Sequence, residues 1–195
     1  MRRSLAALGA CLVVFSACSD PGSSSDSGSS SDTTVAPGET AAPAPVAGAG
    51  EPEGTQTFTG LEQTHVDTPV DYPQTPPVGG PHNAVWQSCA VYDVEFPKER
   101  GVHSMEHGAV WITYTAGLSE ADTAVLKSLA ESGKEVLVSP FTGLSTPVVA
   151  SAWGKQLQLE SVNDPRLAKF VAMFDDGPQT PELNTPCASG TSETD

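Results

Sequence analysis

Positive charge is scarce in this chain: 9 lysines and arginines stand against 24 acidic residues, for a net charge of −15. Such a surface repels nucleic acid and anionic lipid headgroups, so neither is expected as a partner. Apolar runs are short, and none reaches the roughly 20 residues that a membrane-spanning helix needs. Aromatic residues make up 6 % of the sequence, and none falls between Ser19 and Thr57. There is no phosphate-binding loop, no dinucleotide fingerprint and no glycine-flanked nucleophile elbow.

What is present begins with a leader. Arg2 and Arg3 form a positive start, Leu5 to Phe15 an apolar stretch, and Ser16-Ala17-Cys18 a small-residue end. This reads as a lipoprotein signal, residues 1–17, with lipid attached to Cys18; plain secretion is the alternative. Leu8-Gly9-Ala10-Cys11 also fits the lipidation letters, but it leaves an apolar stretch of only about seven residues. Loss of Arg2 and Arg3 leaves 7 basic residues against 24 acidic ones, a mature charge of −17. The protein is expected at the outer face of the cytoplasmic membrane or in the cell envelope, touching the membrane through its lipid alone.

Residues 18–57 are a Ser-, Pro- and Ala-rich segment. It has too little apolar surface to offset its ordering entropy, so it is expected to be a disordered tether. At about 39 residues it would hold the domain roughly 30 to 40 Å from the bilayer. The folded domain is expected over 58–187, followed by a polar tail at 188–195. Cys89 and Cys187 are the two cysteines that remain beyond the leader and the lipidation site. In an oxidising compartment they read as a disulfide, with Cys89 as a soft metal ligand the competing reading.

The first half of the domain is irregular because Pro69, Pro73, Pro76, Pro77, Pro81 and Pro97 forbid long helices and central strands. Tyr72, Trp86, Tyr92 and the disulfide are the candidate pins for it. The second half is regular. Val110, Ile112 and Tyr114 alternate as in a strand, and Ser119 with Asp122 caps a helix that buries Val125, Leu126 and Leu129. Strands follow at Glu135–Ser139, Pro147–Trp153 and Lys155–Leu159. Asp164-Pro165 then opens a helix whose Leu167, Phe170, Val171 and Phe174 form one stripe. The order predicts an α+β fold: a small, mainly antiparallel sheet with two helices on one face, preceded by a Pro/Gly-rich wrapping segment.

All four histidines, His65, His82, His103 and His107, precede the first of these strands. Neutral imidazoles at this density suit zinc, copper, nickel or iron, with copper or zinc the concrete reading, a small ligand the other occupant, and Glu106 a further ligand or an orienting partner. His103-Ser-Met-Glu106-His107 carries the letters of the inverted zinc-protease signature, H-x-x-E-H, which requires a helix. Gly101 before it and Gly108 after it leave room for one helical turn at most, so a zinc hydrolase is the less favoured reading and the site leans away from an enzyme. Met105 is a soft donor by type, but its apolar neighbours make it a core residue. Purely structural histidines in an envelope module that binds a partner are the competing account.

Gly80-Pro81-His82-Asn83, Trp86, Cys89-Ala90-Val91-Tyr92, His103 to Trp111, Ser139-Pro140 and Ala152-Trp153-Gly154 together resemble the DUF3105 family of exported or membrane-anchored bacterial proteins. The resemblance spans about His65 to Cys187. Gly79, Ala90 and Met105 depart from the family's usual Ser, Gly and Leu, which weakens Met105 further as a ligand. His65, His82, His103, Glu106, His107 and Cys89 fall on family motif positions. The resemblance implies a shared site around them and assigns it no chemistry.

Overall fold

The computed structural model describes Gly48 and residues 50–195. The leader, both lipidation candidates (Cys18 and Cys11) and most of the tether lie outside the described residues. Among the described residues, no helix is long and apolar enough to cross a membrane.

The strands are β1 (Gln56–Thr57), β2 (Val110–Tyr114), β3 (Val136–Pro140), β4 (Val148–Ala152) and β5 (Lys155–Leu159). They form one sheet in the order β1-β5-β4-β2-β3. The β2–β3 pair is parallel, with helix α2 (Glu120–Ala130) as its crossover, and the other pairs are antiparallel. Strand β1 starts just ahead of the expected domain boundary at Phe58.

Period-two alternation divides the sheet into two faces. Val110, Ile112 and Tyr114 of β2 pack with Ala150, Leu157 and Leu159 under two helices. One is α2, which inserts Leu126; the other is α3 (Pro165–Phe174), which inserts Leu167, Phe170, Val171 and Phe174. Burying a leucine as fully as Leu126 contributes about 1.5–3 kcal/mol. Both helices start as expected. Ser119 Oγ accepts the Asp122 amide at 3.1 Å, and Asp164 Oδ1 accepts that of Arg166 at 2.9 Å with Pro165 in the first turn.

The opposite face carries a helix that the glycine argument excluded. Helix α1 (Lys98–Glu106) runs for nine residues and includes His103, Ser104 and Glu106. The correction has a steric cause. A Cβ on Gly101 would lie 2.7 Å from the Trp111 ring, so glycine is there to let α1 approach the indole. Val102 and Met105 of α1 then pack with Trp111, Leu137 and Trp153, and Met105 is fully buried in that core.

The Pro-rich half wraps this face. Tyr72 Oη donates to the Pro81 carbonyl, Trp86 Nε1 to that of Cys187 and Tyr92 Oη to that of Ser88. Cys89 and Cys187 are joined by a disulfide. Residues 188–195, expected as a polar tail, are also held. The Thr191 amide donates to the Trp86 carbonyl and the Arg100 guanidinium to the carbonyls of Glu193 and Asp195.

Candidate metal centre

Two loops and one helix bring the site together. The 64–66 and 80–82 segments are laced by a short parallel bridge, Val66 N–H to the His82 carbonyl and His82 N–H to that of Thr64. This places His65 against His82. Helix α1 contributes His103 and Glu106, one turn apart and therefore on one face. It is anchored to the wrapping segment by Ser104 Oγ, which donates to the Gln87 carbonyl at 2.6 Å, and by Glu99 Oε1, which accepts the Val70 amide.

The ligand atoms of His65, His82, His103 and Glu106 lie within 4.8 Å of one another. First-row metal bonds of about 2.0–2.2 Å to either side of one ion cover most of that span. The three imidazole rings form a near-regular triangle with centroid separations of 5.0, 4.9 and 4.8 Å. His82, His103 and Glu106 are buried, and His65 is the exposed member.

His107 is not part of this set. It caps the end of α1, its ring lies 4.5 Å from that of His103, and its Nε2 faces Glu182 Oε2 at 3.4 Å. Its Nδ1 is buried without a hydrogen-bond partner. Trp86 packs against both His103 and His107, while Trp153 meets His82 edge-on.

The hydrogen bonds set the tautomers. His82 Nδ1 lies 2.9 Å from the Gly80 carbonyl and His103 Nδ1 lies 2.7 Å from that of Asn83. A carbonyl only accepts, so in each neutral ring the proton sits on Nδ1 and Nε2 carries a lone pair. The His82 Nε2 lone pair then lies 2.9 Å from Glu106 Oε2, in an approach that does not meet hydrogen-bond geometry. A lone pair facing a carboxylate at that distance is repulsive unless a proton or a cation lies between them.

Electrostatics points the same way. Burial pulls the His82 imidazolium below the usual histidine range, against the Gly80 carbonyl and Glu182, which favour charge. His103 is pushed down to about 4, first by burial and then by its histidine neighbours, with the Asn83 carbonyl opposing. His107 is also lowered by burial, with Glu182 opposing. Burial and then Glu182 raise Glu106 to about 7, with His65 opposing. The pocket therefore disfavours the charged forms of His82, His103 and Glu106. A bound divalent ion would invert that preference for the carboxylate and suit the neutral imidazoles.

Three participants had no signal in the sequence. The carbonyls of Gly80 and Asn83 flank His82 in the chain, but their direction is a property of the loop. Glu182 comes from far down the chain, where its amide docks on the Glu106 carbonyl at the end of α1.

A family model described as "Protein of unknown function (DUF3105)" matches residues 64–189, well over half of the chain. No curated protein and no solved structure matches it.

Proposed function

Because the chain belongs to the DUF3105 family, whose description assigns no function, we propose a role from the geometry: the domain binds one transition-metal ion, zinc or copper(II), through His65, His82, His103 and Glu106. The observation that carries this reading is the pair of imidazoles whose Nδ1 atoms are pinned to backbone carbonyls. Their Nε2 lone pairs are thereby left for a ligand, with a carboxylate beside one of them. Metal-ligating histidines are commonly oriented by this kind of outer hydrogen bond.

The donor chemistry narrows the ion. Nitrogen and carboxylate oxygen suit zinc and copper(II), whereas copper(I) seeks sulfur. The domain's two cysteines are joined to each other and Met105 is in the core. A purely bracing role for the histidines accounts for the two Nδ1 contacts, and for the His82 Nε2–Glu106 contact only where Glu106 keeps its proton. The inverted zinc-protease arrangement fares worse. It needs both motif histidines on the metal, and here the cluster uses His103 with Glu106 while His107 turns to Glu182.

The same reading places the protein outside the cytoplasm, tethered through lipid on Cys18. The disulfide supports an oxidising setting. Elemental analysis of the full chain tests the metal. It should be exported so that the disulfide forms, carry no affinity His tag, and be compared with His82→Asn and His103→Asn variants. About one equivalent of zinc or copper in the wild type, lost in variants that keep the native circular dichroism, is the expected result. Wild-type protein that retains neither ion after challenge with both and desalting would overturn the proposal.

A further inference from the structure

The Gly79–Pro81 segment that leads into His82 also lines a cleft. Residues 56–62 at the edge of the sheet, residues 70–74 and Gly79 to Pro81 enclose an open cleft of about 700 Å³. That volume is within the range of small-molecule pockets. None of His65, His82, His103 or Glu106 lines it, so it is distinct from the metal centre and stands whether or not that centre binds an ion.

The lining has a definite chemistry. Phe58, Leu61, Tyr72 and Pro81 supply partly exposed apolar and aromatic surface. The charged side chains in the lining are Glu62 and Asp71, and no lysine or arginine is among them. Lys98 approaches the Tyr72 ring at 5.4 Å but does not line the cleft.

We infer that this cleft binds a small apolar amine in its ammonium form, with the hydrocarbon or aromatic body against Phe58, Leu61 and Tyr72. The ammonium group then lies toward Glu62 and Asp71. Aromatic rings favour such cations and reject anions of the same shape. Two carboxylates with no basic side chain in the lining add to that discrimination.

The test uses three probes of one shape that differ in charge: 2-phenylethylammonium, 2-phenylethanol and 3-phenylpropionate. Each is titrated into the full chain at neutral pH and followed by amide chemical shifts. The expected result is binding of the cation about tenfold or more tighter than the alcohol, with no binding of the anion. Shift changes should centre on residues 56–62 and 70–74. The Glu62→Gln/Asp71→Asn pair should remove about tenfold of the cation's advantage, and Thr59→Trp, which fills the cleft, should abolish binding. Equal binding of the three probes would overturn the inference. So would shift changes elsewhere on the surface, or no binding of the cation up to about 10 mM. The charge series on wild-type protein decides the question even if a variant fails to fold.

Discussion

Glu106 sits where the competing accounts of the histidines diverge. It is a buried carboxyl whose pKa is raised to about 7 and whose Oε2 lies against His82 Nε2. As a ligand it must give up its proton, and every imidazole donor must be neutral, so metal affinity should fall as pH is lowered. Replacing Glu106 with Gln keeps the shape and removes the anion. In chelator-competition titrations it should weaken zinc binding by about tenfold or more, with the stoichiometry retained where zinc is in excess. His107→Asn should change affinity by less than about threefold, because that ring faces Glu182 rather than the cluster. Comparable losses in the two variants would mean that the ion sits between His103 and His107 instead. Their spacing of four lets His103 and His107 converge from a single turn, so the sequence counted His107 among the ligands. The Asn83 carbonyl orients the His103 ring and the Gly80 carbonyl that of His82, and no local pattern encodes either contact.

At the scale of the elements, α2 and α3 were legible because each has a cap and an apolar stripe, and the strands because their alternation is regular. Helix α1 was not, because it lacks both. Its N-cap is Pro97, which offers no side-chain acceptor. A glycine sits in its middle, and its buried residues Glu99, Ser104 and Glu106 are polar. Glu99 and Ser104 tolerate burial because the Val70 amide and the Gln87 carbonyl meet them, and Glu106 faces His82, all from segments that sequence reading leaves as loops. Gly101 is the readable trace of this packing, once the indole above it is known. Gly101→Ala should destabilise the protein by about 1–3 kcal/mol in urea unfolding, although alanine is the better helix former by about 1 kcal/mol. A stabilised variant would show that the ring yields freely. Helix α3 makes a different prediction. The Arg166 guanidinium and amide hold its N-cap, Asp164, down at about 2, below its ordinary 3.8. A carboxylate with a depressed folded pKa contributes stability that is complete above about 3.8 and fades as pH falls toward 2. Asp164→Asn should therefore flatten the acid limb of the urea midpoint in that window and leave its slope near neutrality unchanged.

For the molecule as a whole, the chain end is the structural partner of the site. The Cys89–Cys187 bond spans 98 residues of sequence. Beyond it the Thr191 amide reaches the Trp86 carbonyl, and the Ser88 amide reaches that of Thr191. Gly190 packs so closely on Trp86 that a Cβ there would lie 2.5 Å from the ring and from its carbonyl oxygen. Trp86 in turn lies against His103 and His107. The disulfide was readable from cysteine arithmetic, but the residues after it looked like a tail because their contacts are backbone hydrogen bonds, which any sequence can make. Two variants separate the contributions. Cys89→Ser/Cys187→Ser should lower unfolding free energy by about 2–4 kcal/mol, the usual return for closing a long loop in the unfolded chain. Deleting residues 190–195 leaves the disulfide in place and removes the strap on Trp86 together with the contacts of Gln87 and Arg100 to Glu193 and Asp195. If that strap holds the indole against the histidines, the deletion should weaken zinc binding severalfold in the chelator competition with a smaller loss of stability than the cysteine pair. Unchanged affinity in the deletion would mean that α1 alone, through Ser104 and Glu99, fixes His103 for its ligand.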